Sequence, residues 1–555
     1  MKKSWKITLS VASAITVIAV GLTVANLTSP SFLSKPNNTT PNGTIDVTKH
    51  GVVANDRNSA DENTKKINRI IRNAKKGDTI VFPKGDYYVA STQTSGGLTV
   101  YKKSDITIKG TDACIINTSF SPYYAAQPTH YMDSNIFVIR NSDSITLEGI
   151  SVDYDQHTNI SGVVVETADG QLALKAYKEY ISGDNAVKGE EYITSVCIFG
   201  EDGNPTNEVY LSETKLLQAI DAKNGIFALP TDICKAGQQV CIRFSNGSYS
   251  CPAISMSNVN GFTARKVWVR SCPSASVYVM EDNENFTFDG FKVAPEEDSK
   301  NIYASNEDCI HIKGLRGDLK LNDCEFEGIG DDALNIHSLA ALVEERNDNT
   351  VKIVNGRTHE KFNNWASVGD TIEVYDDGLA LLGFAKVVKV KGNSIELDSV
   401  PSGTTANAIL HNSSRSPNVT VDNCTVKRGR ARGFLIQAKK ATITNCTFES
   451  LGLSGVLIAP DISNWYEMGP CEEATLTGNT FRHCCTRVDS EYGGAVTVAL
   501  NHDLAAATSN SKPHGTITVT GNKFENCCTN AVFIQGAKTA KVTDNDFGTH
   551  KVQIK

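Results

Sequence analysis

Four stretches of this chain repeat one short phrase. Leu319–Phe326 (LKLNDCEF), Val419–Val426 (VTVDNCTV), Ala441–Phe448 (ATITNCTF) and Ile517–Phe524 (ITVTGNKF) alternate apolar and polar residues, then give a small or polar pair and a last apolar residue. Eight positions beyond Cys324, Cys424, Cys446 and Asn522 stand Asp332, Arg432, Ser454 and Asn530, and each opens a second strand-like run: DALNIH, RGFLIQ, SGVLIA, NAVFIQ. Asp308 opens a matching run, DCIHIK, 24 residues before Asp332, and 22 residues separate Arg432 from Ser454. Period-two alternation marks a half-buried strand, and a unit this short cannot bury its apolar face alone. The spacing therefore predicts an all-β solenoid in which each coil covers the next. The register then places Asp308, Asp332 and Arg432 at one corner of successive coils.

A chain of 555 residues exceeds one ordinary compact domain, but a solenoid escapes that limit by growing along an axis. The net charge of −8 offers no basic footprint for nucleic acid or anionic lipid, and it favours a neutral ligand over a polyanion. Lys2, Lys3 and Lys6 precede an apolar run, Ile7–Ala25, that ends in the small residues Thr23-Val24-Ala25. This reads as a signal peptide over residues 1–25 of a secreted, periplasmic or cell-surface bacterial protein. The alternative, an uncleaved N-terminal anchor, is the one membrane contact expected. Residues 26–44, rich in Ser, Thr, Asn and Pro, read as a linker. Fifteen cysteines show no disulfide framework and no recurring His/Cys ligand spacing, so they read as small buried thiols and no metal or other cofactor is expected.

The solenoid is expected over 45–154, 246–339 and 413–555. Its first part opens with a cap: Ser59-x-x-Glu62 offers a capping box, and Ile67, Ile70, Ile71 and Ala74 line one face of a helix. Two stretches break the repeat. Residues 155–245 and 340–412 hold longer alternating strands with Asp-Gly and Asn-Gly turns, which predicts inserted antiparallel domains. Insertions crowding one face of a repeat protein commonly wall a binding site.

Stacked coils lie about 4.8 Å apart, so Asp308 should sit under Asp332 with Asp331 adjacent. Three carboxylates this close raise at least one pKa and keep a proton available, as glycosidic cleavage requires: one carboxylic acid for the leaving oxygen, one carboxylate for water or for attack. A lone Asp opening a strand would more simply cap a turn; three in register exceed that role. Arg432, with Arg430 beside it, would hold a sugar hydroxyl or compensate the acids. Asn335 reads as a satisfied interior polar residue, and His337 as facing the cleft. Asp461, Trp465 and Glu467 lie in an insertion, APDISNWYEMGP, whose aromatic and acidic neighbours suit a sugar ring.

The opening segment IDVTKHGVVANDRNSADENTKKINRIIRNAKKGDTIVFPKGDYYV resembles that of pectin-lyase-like right-handed parallel β-helix proteins. Residues 305–338 (SNEDCIHIKGLRGDLKLNDCEFEGIGDDALNIHS), RGRARGFLI and PDISNWYEMGP resemble glycoside hydrolase family 110, the exo-acting α-1,3-galactosidases. The resemblance runs over most of 45–555. It implies a right-handed parallel β-helix with two inserted antiparallel β-barrel-like domains and an N-terminal capping helix. It also implies removal of terminal α-1,3-linked galactose, from blood group B-like or linear glycans, with inversion and without a metal. The acid–base trio falls on Asp308, Asp331 and Asp332, and Arg432, His337, Asp461, Trp465 and Glu467 are the expected sugar-binding residues. The chain reads EDCIHI and GDDALNIHS where the family commonly reads ADATHF and LDDATNVHG, so the carboxylates match while their neighbours differ. Two other readings suit the same fold: a polysaccharide lyase with an Arg base and Ca²⁺, or another glycosidase; a third is a non-catalytic glycan-binding adhesin.

Overall fold

A computed structural model describes residues 43–91, 96–123, 134–244, 251–280, 282–362, 364–487, 493–501 and 511–555. The expected signal peptide and nearly all of the linker lie outside the described residues. Among the described residues, no helix is long and apolar enough to cross a membrane.

Parallel pairing runs coil on coil. One column reads Phe286, Leu319, Val419, Ala441, Ala474, Ile517, Ala540. A second reads Val293, Phe326, Val426, Phe448, Phe481, Phe524, and a third Ile310, Leu334, Phe434, Val456. Three parallel faces wrap one continuous apolar interior, and the four repeated phrases occupy equivalent rungs. A further copy, EATLTGNTF, fills the gap in the series, since Glu473–Thr477 pairs with Lys440–Thr444 on one side and with Thr516 onward on the other.

The corner chemistry explains the phrase. Asp323, Asn423, Asn445, Gly478, Gly521 and Asp544 all have φ between 51° and 67°, a left-handed conformation that Asp, Asn and Gly adopt most readily. The residue that follows each points its side chain at the neighbouring coil. Cys424 Sγ accepts the Cys324 N–H at 3.4 Å, and Asn479, Asn522 and Asn545 accept from Cys446, Asn479 and Asn522, each at 2.9 Å. The cysteines are thus small members of a ladder; all fifteen are free thiols, thirteen of them buried. Inside the coil, Phe448, Phe481, Phe524 and Phe547 stack at 4.8, 5.0 and 5.6 Å, close to the spacing the strands impose.

The helix Ala60–Asn73 buries Ile67, Ile70 and Ile71 against the first coils and closes the open end. Its expected capping box does not form. Ser59 already belongs to a 3₁₀ turn, Arg57–Ser59, capped by Asp56, and its hydroxyl donates to Asp56 Oδ2 at 2.6 Å rather than to the helix.

The first insertion is a seven-stranded antiparallel sheet, Asn159–Glu166 through Gln239–Phe244, with its own core around Tyr180, Val196 and Phe227. In the second, Leu334–Asn347 leaves the solenoid as one unbroken strand. It pairs with Thr350–Asn355, which pairs with Ser394–Leu397, that with Leu381–Lys391, that with Thr371–Tyr375 and that with Ile409–Asn412, which returns to pair with the first strand at Ala340–Leu342. The ring is closed, which leaves no unpaired edge.

Candidate active site

The third column fixes the site. Ile310 pairs with Leu334, and Leu334 with Phe434, so Asp308, Asp332 and Arg432, two residues earlier on each strand, stand one above another. The side chains link rung to rung: Asp308 Oδ1 accepts the Asp332 N–H at 2.9 Å, and Asp332 Oδ1 accepts the Arg432 N–H at 3.0 Å. Asp331 lies beside them, and the three carboxylates offer oxygens within 4.8 Å of one another. The side chains of Asp308 and Asp332 are 1% and 3% exposed, whereas that of Asp331 is 26% exposed. Asp331 is the member open to solvent.

Charge separates the three. Burial favours the neutral form of Asp331, but Arg430, Arg432 and Arg243 outweigh it and hold the carboxyl below its ordinary range. Arg430 Nη2 lies 2.6 Å from Asp331 Oδ1. Burial raises Asp308 well above the carboxylate range, and the negative Asp331 adds to it. Asp332 is raised by burial too, although Arg432 Nε at 3.2 Å opposes it. The pattern is one ionised carboxylate at the surface and a proton-holding pair beneath. Glu307, half-buried at the same corner, is pushed up to about 8 by burial, against the pull of Arg243.

The arginines are placed by a residue that no motif or repeat singles out. Glu208, on the inserted strand Pro205–Leu216, has a fully buried side chain. Its oxygens lie 2.6 Å from Arg430, 3.1 Å from Arg243 and 3.4 Å from Arg487. Arg243, also from the insertion, donates to the carbonyl of Asn306 at 2.7 Å. Tyr210, 60% exposed, lies with its ring 5.4 and 5.6 Å from the Arg243 and Arg430 guanidiniums. No repeat relates these residues to the coil, so only their contacts reveal them.

Strand alternation decides the rest. Ile310, Ile312, Leu334 and Ile336 enter the core, so His311, Lys313, Asn335 and His337 point out of the coil. Asn335 is therefore not an interior polar residue; its Oδ1 is buried on the outer side with no hydrogen-bond partner. His337 does align with Lys313, but it is fully buried rather than facing a cleft. Its Nε2 lies 3.1 Å from His311 Nε2 and 3.2 Å from Glu467 Oε1. Glu467 arrives because Glu467–Met468 pairs antiparallel with Leu339 and Ser338. Asp461 Oδ1 accepts the Asn464 N–H at 2.8 Å and so shapes the loop. Trp465, 51% exposed, packs under Arg357 of the second insertion at 3.7 Å. The structure thus gathers Asp308, Asp331, Asp332, Arg432, His337 and Glu467, while Trp465 and Asp461 sit on the bordering loop.

Among the described residues, two sets of groups have the mutual spacing of cation ligands, the trio and His311–His337–Glu467. At the trio, Arg430 and Arg432 already supply positive charge.

A family model described as "Right handed beta helix region" matches residues 222–547. An alpha-1,3-galactosidase A of Bacteroides fragilis is 23% identical over 454 residues, 73% of this chain and 70% of the relative. An alpha-1,3-galactosidase B of Bacteroides thetaiotaomicron is 23% identical over 74% of this chain and 71% of its own length. A second protein of that organism, an alpha-1,3-galactosidase A, is 30% identical over 39% of this chain and 41% of its own length.

Proposed function

The chain belongs to the right-handed β-helix family, and from that footing we propose that it is an exo-acting glycoside hydrolase releasing terminal α-1,3-linked galactose. The observation that carries the reading is the split trio: an ionised, solvent-facing Asp331 beside the buried, proton-holding Asp308 and Asp332. Splitting a glycosidic bond needs an acid and a base with pKa values pushed apart. Two relatives named alpha-1,3-galactosidase, each matched over about 70% of its length, support the linkage and the sugar.

The buried pair acts as the proton donor to the leaving oxygen, and Asp331 as the base that activates water. Asp332 joins Asp308 rather than Asp331, because the Arg430 contact reaches Asp331. Arg430 orients Asp331 and leaves the face toward solvent for a water molecule. We propose inversion, with that water attacking C1 directly. The unpartnered Oδ1 of Asn335 is an acceptor for a sugar hydroxyl, and Arg432, Glu467 and the loop bearing Trp465 complete the sugar pocket. Blood group B-like and linear α-galactosides are the proposed substrates. We place the enzyme outside the cytoplasm, as the N-terminal Lys-rich and apolar segments favour.

The test is a panel of nitrophenyl glycosides and defined galactosyl oligosaccharides, followed by proton NMR of the first-formed sugar. Release of β-galactose from an α-1,3-linked terminus is expected. The α-anomer would overturn inversion, and activity confined to other sugars would overturn the assignment.

A further inference from the structure

Two rows of carboxyls rise along this edge of the coil. Ser305 bridges Ile329 on one flank and Ile310 pairs with Leu334 on the other. The offset is the same at both flanks, so Glu307 stands under Asp331 as Asp308 stands under Asp332. The rungs between them are in close contact: a Cβ on Gly330 would collide with the Asn306 carbonyl. The inner row, Asp308 and Asp332, is buried and hydrogen-bonded rung to rung. The outer row faces the first insertion. Asp331 has its ion pair with Arg430. Among the described residues, Glu307, half-buried, has neither a hydrogen bond nor an ion pair, and a carboxyl removed from water without a partner is costly unless a ligand completes it.

The opposite wall is Tyr210. On the inserted strand Pro205–Leu216 side chains alternate, so Glu208 and Tyr210 share one face. Glu208 is buried among the arginines, and Tyr210, next along that face, is open to solvent. Pairing with Tyr192–Phe199 slips just beyond Tyr210, and a bulge of this kind re-aims a side chain out of the regular sheet. The Arg243 and Arg430 guanidiniums steady the ring at 5.4 and 5.6 Å without covering it. Arg243 is acted on by both Tyr210 and Glu307, and Tyr210 in turn by Asp331. Ring, guanidinium and unpartnered carboxyl thus border one opening beside Asp331.

A fixed, exposed aromatic ring and a carboxyl with spare hydrogen-bonding capacity are what a pyranose binds, its C–H face on the ring and a hydroxyl on the carboxyl. Burial pushes Glu307 up to about 8, with Arg243 opposing and Asp331 adding, so near neutral pH the group can both donate and accept. The axis of the coil says which sugar this is. Asp308, of the donor pair, shares a rung with Glu307, whereas the base Asp331 stands one rung above. In inversion the leaving group and the attacking water lie on opposite sides of C1, so the leaving sugar falls toward the Glu307 rung. Resting on the hydrolase reading above, we propose that Tyr210 and Glu307 form the subsite for the second sugar, the neutral pyranose to which the terminal galactose is attached. The first insertion then selects galactose joined to another sugar over galactose joined to a small leaving group.

The test compares two substrates that share the galactose: an α-1,3-galactosyl disaccharide, and α-galactosyl fluoride, which has no second sugar. In Tyr210→Ala and in Glu307→Ala, kcat/KM for the disaccharide is expected to fall about 10-fold further than kcat/KM for the fluoride, the scale of one lost stacking or hydrogen-bond contact. Tyr210→Phe, which keeps the ring, should restore the wild-type ratio. Equal losses on both substrates, the signature of a merely structural role, would overturn the subsite. A second readout needs no turnover. In an Asp331→Asn background, calorimetry should find the disaccharide bound about 10-fold more tightly than free galactose, with that margin removed by Tyr210→Ala. Equal affinities for the two sugars, or a margin that survives Tyr210→Ala, would also overturn it. If the wild type cleaves neither substrate while the margin is present and lost with Tyr210, the hydrolase reading fails and the sugar subsite stands.

Discussion

Glu208→Gln is the substitution that asks most of this account. The glutamate side chain is fully buried and meets three guanidiniums at 2.6, 3.1 and 3.4 Å. Glutamine keeps the shape and one acceptor but removes the charge, leaving Arg243, Arg430 and Arg487 to share Asp331 and the nearby carbonyls. Breaking a buried ion network by neutralising one partner costs about 3–5 kcal/mol. Because Glu208 is rooted in the first insertion while Arg430 and Arg487 belong to coils, the loss should loosen that domain from the solenoid. A second effect is electrostatic. With the competing anion gone, Arg430 bears more strongly on Asp331 and lowers its pKa further, which makes it a weaker base. Asp331 is already depressed in the folded state. Its stabilising contribution is present above the unfolded carboxylate pKa and is lost as pH falls through the folded value, and the variant moves that loss to lower pH. Thermal melts with limited proteolysis of the insertion, and a pH–rate profile, provide the assay. Expected are a lower Tm, earlier cleavage within residues 155–245, a fall in kcat of about 10–10²-fold and an acid limb displaced to lower pH, by the usual scale for a misplaced base. An unchanged melt together with an unmoved acid limb would refute the claim that the insertion sets the catalytic charge.

Two further outcomes follow. Glu307, raised to about 8 by burial, binds more protons folded than unfolded between the ordinary carboxylate pKa and about 8, so its contribution to stability declines as pH rises through that window. Glu307→Gln should therefore gain stability relative to wild type between pH 5 and 8, by about 1–3 kcal/mol after allowance for solvent screening, read by urea titration at both pH values. Phe481→Ala opens a gap between rings stacked at 4.8 and 5.0 Å, and a loss of about 3–5 kcal/mol is expected in chemical denaturation.

The column Asp308–Asp332–Arg432 was legible because a solenoid turns a sequence interval into a vertical neighbour: once the Cys/Asn corner is aligned, the strand eight residues on is aligned too. Both insertions were legible because the repeat gives way there to longer alternating strands. It could not reach Glu208, whose bond to Arg430 spans 222 residues and joins an antiparallel domain to a coil with no shared period. Asn335 and His337 were misplaced for a different reason. Period two tells which residues alternate, but the apolar partners Leu334 and Ile336 decide which set enters the core, and burial of the outer set comes from the loop and insertions that cover it. The capping box at Ser59 failed because a local competitor, Asp56, had already taken the hydroxyl into its own turn.

The split trio is tested by a crystal structure of the Asp331→Asn variant soaked with an α-1,3-galactosyl disaccharide. The terminal galactose is expected at this corner of the coil. Its glycosidic oxygen should lie within hydrogen-bond reach, about 3 Å, of the Asp308–Asp332 pair, with a water held at residue 331. A disaccharide bound along another face, or a galactose whose C1 lies far from all three residues, would contradict it.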